Sequence, residues 1–351
     1  MKKNTVLKLA LLGLLSLALS ACGTVPPLSW PGIEVNEADG HVYLAYQNKV
    51  TALNAESGTP VWEFPTENNK NFSTFADPVL ANGQLYFGGY DAVFYALNPA
   101  NGSQAWSLAE ADSKYIASPI VDGERIYAAN ADHNLYAMDT EGTLLWTFAT
   151  SHPQWGTAAL ADGVVYVSSL NHFVYALDAN SGEELWAADT GGTLVSGPLL
   201  SEGVLYTGTF NSEVVAVDTD GGDVLWRFTT DGWVWGAPAL HDGQLLVGDL
   251  SGILYALDPA SGAELWRLET GGSITGTPLV FNERIYVINE AGRVLSIGLD
   301  GNILWNQDFG TELYGSAVAA GDLILVAQHN NTTTLIALND SGTRVWQFPQ
   351  Q

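Results

Sequence analysis

The chain has 351 residues, with 38 acidic against 12 basic side chains and a formal net charge of −26. A surface this acidic repels nucleic acid and anionic lipid headgroups, which excludes binding driven by a phosphate backbone. Its one cysteine, Cys22, excludes an internal disulfide.

The N-terminus reads Met1, Lys2, Lys3, then an apolar run from Val6 to Ala21 interrupted by Lys8, then Cys22. This is the layout of a secretory signal rather than of a folded element, and the run falls short of the roughly 20 apolar residues of a spanning helix. Leu19-Ser20-Ala21-Cys22 resembles the lipobox of bacterial lipoproteins, in which cleavage before the cysteine frees its thiol for a diacylglycerol. The reading divides the chain into a signal peptide (1–21), a lipidated tether (22–29) stiffened by Pro26 and Pro27, and a repeat domain (30–351). Cleavage takes Lys2, Lys3 and Lys8 with it, leaving nine basic side chains against 38 acidic ones, a net of −29. The expected product is exported and lipid-anchored to the cell membrane or outer membrane, facing periplasm or exterior.

A fixed period governs everything after the tether. Tryptophans stand at Trp62, Trp106, Trp146, Trp186, Trp226, Trp266, Trp305 and Trp346, at intervals of 44, 40, 40, 40, 40, 39 and 41 residues. Within each of the eight units, short β-branched and aromatic runs alternate with Asp-Gly, Asn-Gly, Glu-Gly or Ser-Gly, the pattern of strands joined by tight turns. Four strands fit per unit; in the sixth they are predicted near Ala237–Leu240, Leu245–Gly248, Leu254–Leu257 and Glu264–Leu268. A four-stranded antiparallel sheet of this size cannot bury both faces alone. The copies must therefore stack, and radial stacking gives an all-β, eight-bladed β-propeller.

Five units share a strict motif: Ala52-x-Asn54-x3-Gly58-x3-Trp62, Ala96-x-Asn98-x3-Gly102-x3-Trp106, Ala176-x-Asp178-x3-Gly182-x3-Trp186, and the same from Ala216 and Ala256. Asn or Asp opens the hairpin, Gly supplies a positive φ, Ala leaves room for the indole, and the indole packs between neighbouring sheets. The units around Ala137, Ala337 and Gly298 are shorter here, which predicts tighter hairpins. Each blade reads as consecutive residues, and how the ring closes stays open. The motif resembles the tryptophan-docking repeat of propellers related to pyrroloquinoline quinone (PQQ) enzymes, over residues 30 to 348. By size, signal and repeat the chain is also similar to the BamB family of outer-membrane assembly lipoproteins.

The lipid anchor, the complete propeller and the absence of catalytic sets point to a non-catalytic, membrane-anchored binding or scaffold protein of the cell envelope. Its partner would be an envelope protein, a peptide or a glycan, with no cofactor and as a monomer, and the resemblance to BamB implies a role in outer-membrane protein assembly. The alternatives are a PQQ-dependent or other small-molecule oxidoreductase, and an extracellular sensing or polysaccharide-binding module. PQQ-dependent alcohol dehydrogenases are much longer and use an adjacent cysteine pair and a calcium-binding acidic set; here no second cysteine exists. No Gly-x-Ser-x-Gly elbow, phosphate-cradling Gly-x4-Gly-Lys or His-Glu-x-x-His zinc helix is present.

The units differ most between blades. Ahead of the innermost strand stand Trp30, Phe75, Tyr115, Trp155, Trp235 and Tyr314, with Val195 and Ile274 at the other two places. The connection between second and third strands opens on the same face and carries Asn48, Asp91, Asp132, His133, Asn171, His172, Asn211, Asp249, Glu290, His329 and Asn330. Together they predict an aromatic ring with polar groups around the channel mouth, able to hold a peptide, a sugar or a planar molecule. The competing reading is that the aromatics plug the channel and the polar residues serve their turns. His133 and His172 come from corresponding places of adjacent units, a metal pair in outline, but without further ligands at diagnostic spacing they read as turn residues.

Overall fold

The computed structural model describes residues 31–67, 69, 72–328 and 334–350. The expected signal peptide, Cys22 with its tether, Trp30, His329 and Asn330 lie outside the described residues. Within them the chain forms 32 strands, β1 to β32 in chain order, in eight four-stranded antiparallel sheets of consecutive strands. Blade 1 is β1 (Gly32–Asn36), β2 (His41–Tyr46), β3 (Lys49–Asn54) and β4 (Pro60–Phe64). The outermost strands of the other blades are β8 (Gln104–Leu108), β12 (Leu144–Ala149), β16 (Glu184–Asp189), β20 (Val224–Thr229), β24 (Glu264–Glu269), β28 (Ile303–Asp308) and β32 (Arg344–Phe348). The molecule is an eight-bladed β-propeller, as the tryptophan period predicts.

Burial explains the strand sequences. The second and third strands of each blade are covered on both faces by the neighbouring blades, so they read as near-continuous apolar runs such as Val42–Ala45 and Val50–Leu53. Outer strands alternate, because one face packs on the neighbouring blade and the other meets solvent. In the sixth blade the strands are β21 (Ala239–His241), β22 (Gln244–Gly248), β23 (Ile253–Leu257) and β24. The innermost strand starts two residues later than expected: pairing begins at Ala239 opposite Leu246, the same place at which it begins in blades 4 and 8, where alanine stands at the position of Pro238.

The motif does more than make hairpins. Ala52 lies opposite Tyr43 on one side and Trp62 on the other, all on one face of the sheet. The small alanine lets the two rings meet across it, with centroids 5.8 Å apart. The indole then reaches the next blade. An alanine Cβ at Gly102 would lie 2.4 Å from Trp62 Cε3, and Trp62 Nε1 donates to the Pro99 carbonyl at 2.8 Å. Glycine is thus required twice, for its φ of +70° and for the ring lying against it. The other seams follow suit, except that Trp266 Nε1 donates to Gln244 Oε1 and Gln244 Nε2 relays to the Leu299 carbonyl.

The tighter hairpins are present: the turn glycine N–H bonds three residues back in Asp139–Gly142, Gly298–Gly301 and Asn339–Gly342, against four back in the five strict copies. Ring closure is also settled. Trp346 docks on Gly58 of blade 1 and donates to the Ala55 carbonyl at 2.9 Å, and the last sheet is β29 to β32 in order, with no borrowed strand. The seam between blades 8 and 1 is the same joint as the other seven.

Candidate binding face

The connections between blades and the loops between second and third strands meet at one end of the propeller, as expected. Backbone bonds join them: Tyr90 N to Ser73 O, Ala131 N to Lys114 O, Phe210 N to Thr193 O, Leu250 N to Trp233 O and Glu290 N to Ser273 O. The face therefore repeats with the blades, and its side chains are what vary.

Counting back from the first paired residue of each inner strand places Phe75, Trp155, Trp235 and Tyr314 at one equivalent position, each half-buried. Tyr115 is one residue off it. The equivalent residue there is Ile116, while Tyr115 occupies the position of Thr74 and Leu313 and is 1 % exposed. Its ring packs edge-on against Phe94 (5.6 Å) and Tyr136 (6.2 Å), and Gly88 is a glycine because any Cβ there would collide with Tyr115. Tyr115 is thus part of the wall between blades 2 and 3, a correction to its expected place on the surface. Ile274, 1 % exposed, is offset in the same way.

Most of the polar candidates are consumed by their own turns. Asp249 is fully buried and accepts from the N–H groups of Gly232, Ser251 and Ile253 and from Tyr255 OH. Asp132 accepts from Asp112 N, Asn134 N and Tyr136 OH, and Asp91 from Val93 N and Tyr95 OH. Burial raises the Asp91 carboxyl above its ordinary range, with Tyr95 and Val93 pulling it back. His133 and His172 both sit at φ +79°, the turn position that Gly252 and Gly292 fill in other blades. Their carbonyls accept from Thr150 and Thr190 N–H. Among the described residues no group of three or more His, Cys, Asp or Glu side chains is arranged to hold a metal ion.

The remaining side chains divide the mouth unevenly. Along blades 4 to 6 runs an aromatic arc: Trp155, then Phe210 stacked on Trp233 at 5.0 Å and tilted against Trp235 at 5.3 Å. The Trp155 side chain is half-buried, and its indole N–H is buried and finds no acceptor among the described residues. At the seam of blades 2 and 3, Lys114 Nζ stands 4.7 Å from the centre of the Tyr90 ring, and Tyr90 in turn packs on Phe75 at 5.5 Å. Desolvation lowers the Lys114 pKa from that of a free lysine. At the seam of blades 7 and 8, Glu290 is raised by burial and then by the charge of Glu312, while Tyr314 OH donates to Glu312 Oε2 at 2.9 Å. The mouth thus carries a lysine against a tyrosine ring at one seam, with Asp91, Asp112 and Asp132 beside it, a pair of glutamates at another, and aromatic faces between them.

Tyr90, Lys114, Phe210, Trp233 and Glu312 are absent from the sequence-derived set. Their signal is positional. Tyr90 and Phe210 stand in the second-to-third-strand connection beside the polar residues chosen there, and Lys114, Trp233 and Glu312 stand one or two residues ahead of the aromatics. Aligning the units on the inner-strand pairing rather than on the tryptophans brings all five into register.

Fold and face together define a tryptophan-docked, PQQ-like β-propeller whose invariant residues build the ring and whose variable residues gather at one mouth. The chain belongs to the BamB family: the family model described as outer membrane protein assembly factor BamB matches residues 26–147, 131–232 and 250–351. It is 26 % identical over 171 residues to the outer membrane protein assembly factor BamB of Yersinia pestis, covering 45 % of this chain and 42 % of that protein. The tetrathionate hydrolase of Acidithiobacillus ferrooxidans is 22 % identical over 142 residues, covering 33 % of this chain and 28 % of that one. The chain thus aligns with less than half the length of these curated relatives. Among solved structures, BamB from Moraxella catarrhalis superposes with a TM-score of 0.73 at 16 % identity, covering 87 % of this chain and 92 % of that chain. The computationally designed Ika8 protein superposes with a TM-score of 0.75 at 14 % identity, over 92 % and 97 % of the two chains. Likeness in sequence to a hydrolase and in fold to a designed protein marks the architecture and specifies no activity.

Proposed function

We propose that this chain is a non-catalytic scaffold protein of the cell envelope, anchored by lipid on Cys22, that holds a segment of a partner protein at its mouth during outer-membrane protein assembly. The observation that carries this reading is the aromatic arc at the mouth of a member of the BamB family. Aromatic faces without a catalytic constellation suit contact with side chains. Glu290 with Glu312 at the seam of blades 7 and 8 favours a segment that places a basic side chain there, which supplies orientation and specificity more than raw affinity.

The test is co-purification from cross-linked cells with partners identified by mass spectrometry. The wild-type chain is expected to recover proteins of the outer-membrane β-barrel assembly machinery, and Cys22→Ser to shift the protein from the membrane to the soluble fraction. Recovery of none of those proteins, alongside tight binding of PQQ measured by calorimetry, would favour an oxidoreductase instead.

A further inference from the structure

The eight outer strands are eight copies of one edge, so their differences carry information. Each ends its blade with backbone N–H and C=O groups turned to solvent, an arrangement that recruits other strands unless charge, proline or a bulge guards it. Every outer strand bulges beside its tryptophan. Six also carry charge within the strand: Glu63, Glu184, Arg227, Glu264, Asp308 and Arg344 stand in β4, β16, β20, β24, β28 and β32. The strands of blades 2 and 3 carry none. In β8, Gln104 folds along the edge, its Nε2 donating to Ser107 Oγ at 3.2 Å. In β12 the sequence is Leu-Leu-Trp-Thr-Phe-Ala, inside an uncharged stretch from Gly142 to Gln154.

The register shows which backbone groups of β12 are open. Thr150 N bonds to His133 O at 2.8 Å, and pairing continues as Ala149 with Asn134, Phe148 with Leu135, Thr147 with Tyr136 and Trp146 with Ala137. Antiparallel pairs alternate. Phe148 and Trp146 therefore turn their N–H and C=O inward, and Thr147 and Ala149, both exposed, turn theirs out. The bulge lies at the start of the strand, so this stretch is regular.

We infer that β12 is a docking edge for an extended segment of a partner protein, one that alternates apolar and small polar side chains and carries basic residues at its ends. The open groups of Thr147 and Ala149 supply main-chain bonds to an added strand. What sets this edge apart is its lack of charge, since an exposed apolar residue equivalent to Leu145 stands in six other outer strands as well. Basic ends follow from charge: the chain's net −26 attracts them and opposes pairing with a second copy. This edge is separate from the mouth, so either can fail without the other.

The test uses the full chain and a short peptide of alternating valine and threonine between pairs of lysines, with amide exchange read by NMR. Exchange at Thr147 and Ala149 should slow on binding. Thr147→Pro removes only an outward donor at an edge that tolerates proline, and should weaken the peptide by about tenfold or more with the melting temperature unchanged. Thr147→Ser should bind as the wild type does. Protection at another blade or at the mouth, equal binding of the same peptide flanked by glutamates, or protection of β12 by self-association without peptide would each overturn the inference.

Discussion

Gly262 and Gly243 share a φ of +71° and differ in what faces them. Around Gly243 an added Cβ would meet nothing within 4 Å, whereas at Gly262 it would lie 2.6 Å from Trp226 Cε3. Gly243→Ala is expected to cost about 1 kcal/mol, the left-handed backbone term alone. Gly262→Ala adds overpacking of roughly 1–3 kcal/mol. Urea denaturation measures both, and equal losses would contradict the docking of each indole on the next blade's hairpin. The residue scale is where the sequence was most legible, because Gly and Asp at turn positions have few other uses. Asn54 shows why: its Oδ1 accepts from the N–H groups of Glu56 and Ser57 and from Ser57 Oγ, as an opening Asx turn requires. Asp77 was not legible. Its carboxylate accepts from Ile33 N in blade 1 at 2.8 Å, so a side chain ahead of blade 2 ties the inner strands of blades 1 and 2 together. It meets water yet is ringed by protein, and desolvation raises its pKa from that of a free aspartate. No repeat marks it, since the other units carry small residues there.

Among the elements, the middle strands were easy to read and the face loops were not. A strand covered on both sides must be apolar throughout, and runs such as Leu254–Leu257 admit no other assignment. The inner strands are three residues long in seven blades, too short for alternation to fix their limits. The same weakness explains the offset at Tyr115. Five of the seven connections between blades have one length and those into blades 2 and 3 are longer, so aligning on tryptophans carries a one-residue error into the mouth at Tyr115. An aromatic one place too early lands inside a blade wall, where its size suits the core equally well. That is why composition could not separate Tyr115 from Trp155, and why burial does. The same point holds for Asp91, Asp132 and Asp249: a turn aspartate and a ligand-binding aspartate look alike until the partners of both oxygens are known.

For the whole molecule, the ring is closed by eight versions of one joint and, among the described residues, by no exchanged strand. A circular permutant with its ends joined by a flexible linker and new termini at Gly191, between blades 4 and 5, should keep the fold, because it cuts a connection and leaves all eight seams intact. It is expected to unfold in a single cooperative transition, and an expanded, partly open particle in X-ray scattering would contradict closure by docking alone. Such a ring is a rigid frame on which face residues vary without disturbing the blades. The central claim is that this variable mouth is the working surface, and it is tested most directly by the double variant Trp155→Ala, Trp235→Ala in cross-linked cells. The account predicts that recovery of outer-membrane assembly proteins falls to background while the melting temperature stays within about 3 °C of wild type, the shift expected for a loss near 1 kcal/mol in a domain of this size. Undiminished recovery, or a large fall in melting temperature that marks the two indoles as channel filling, would contradict it.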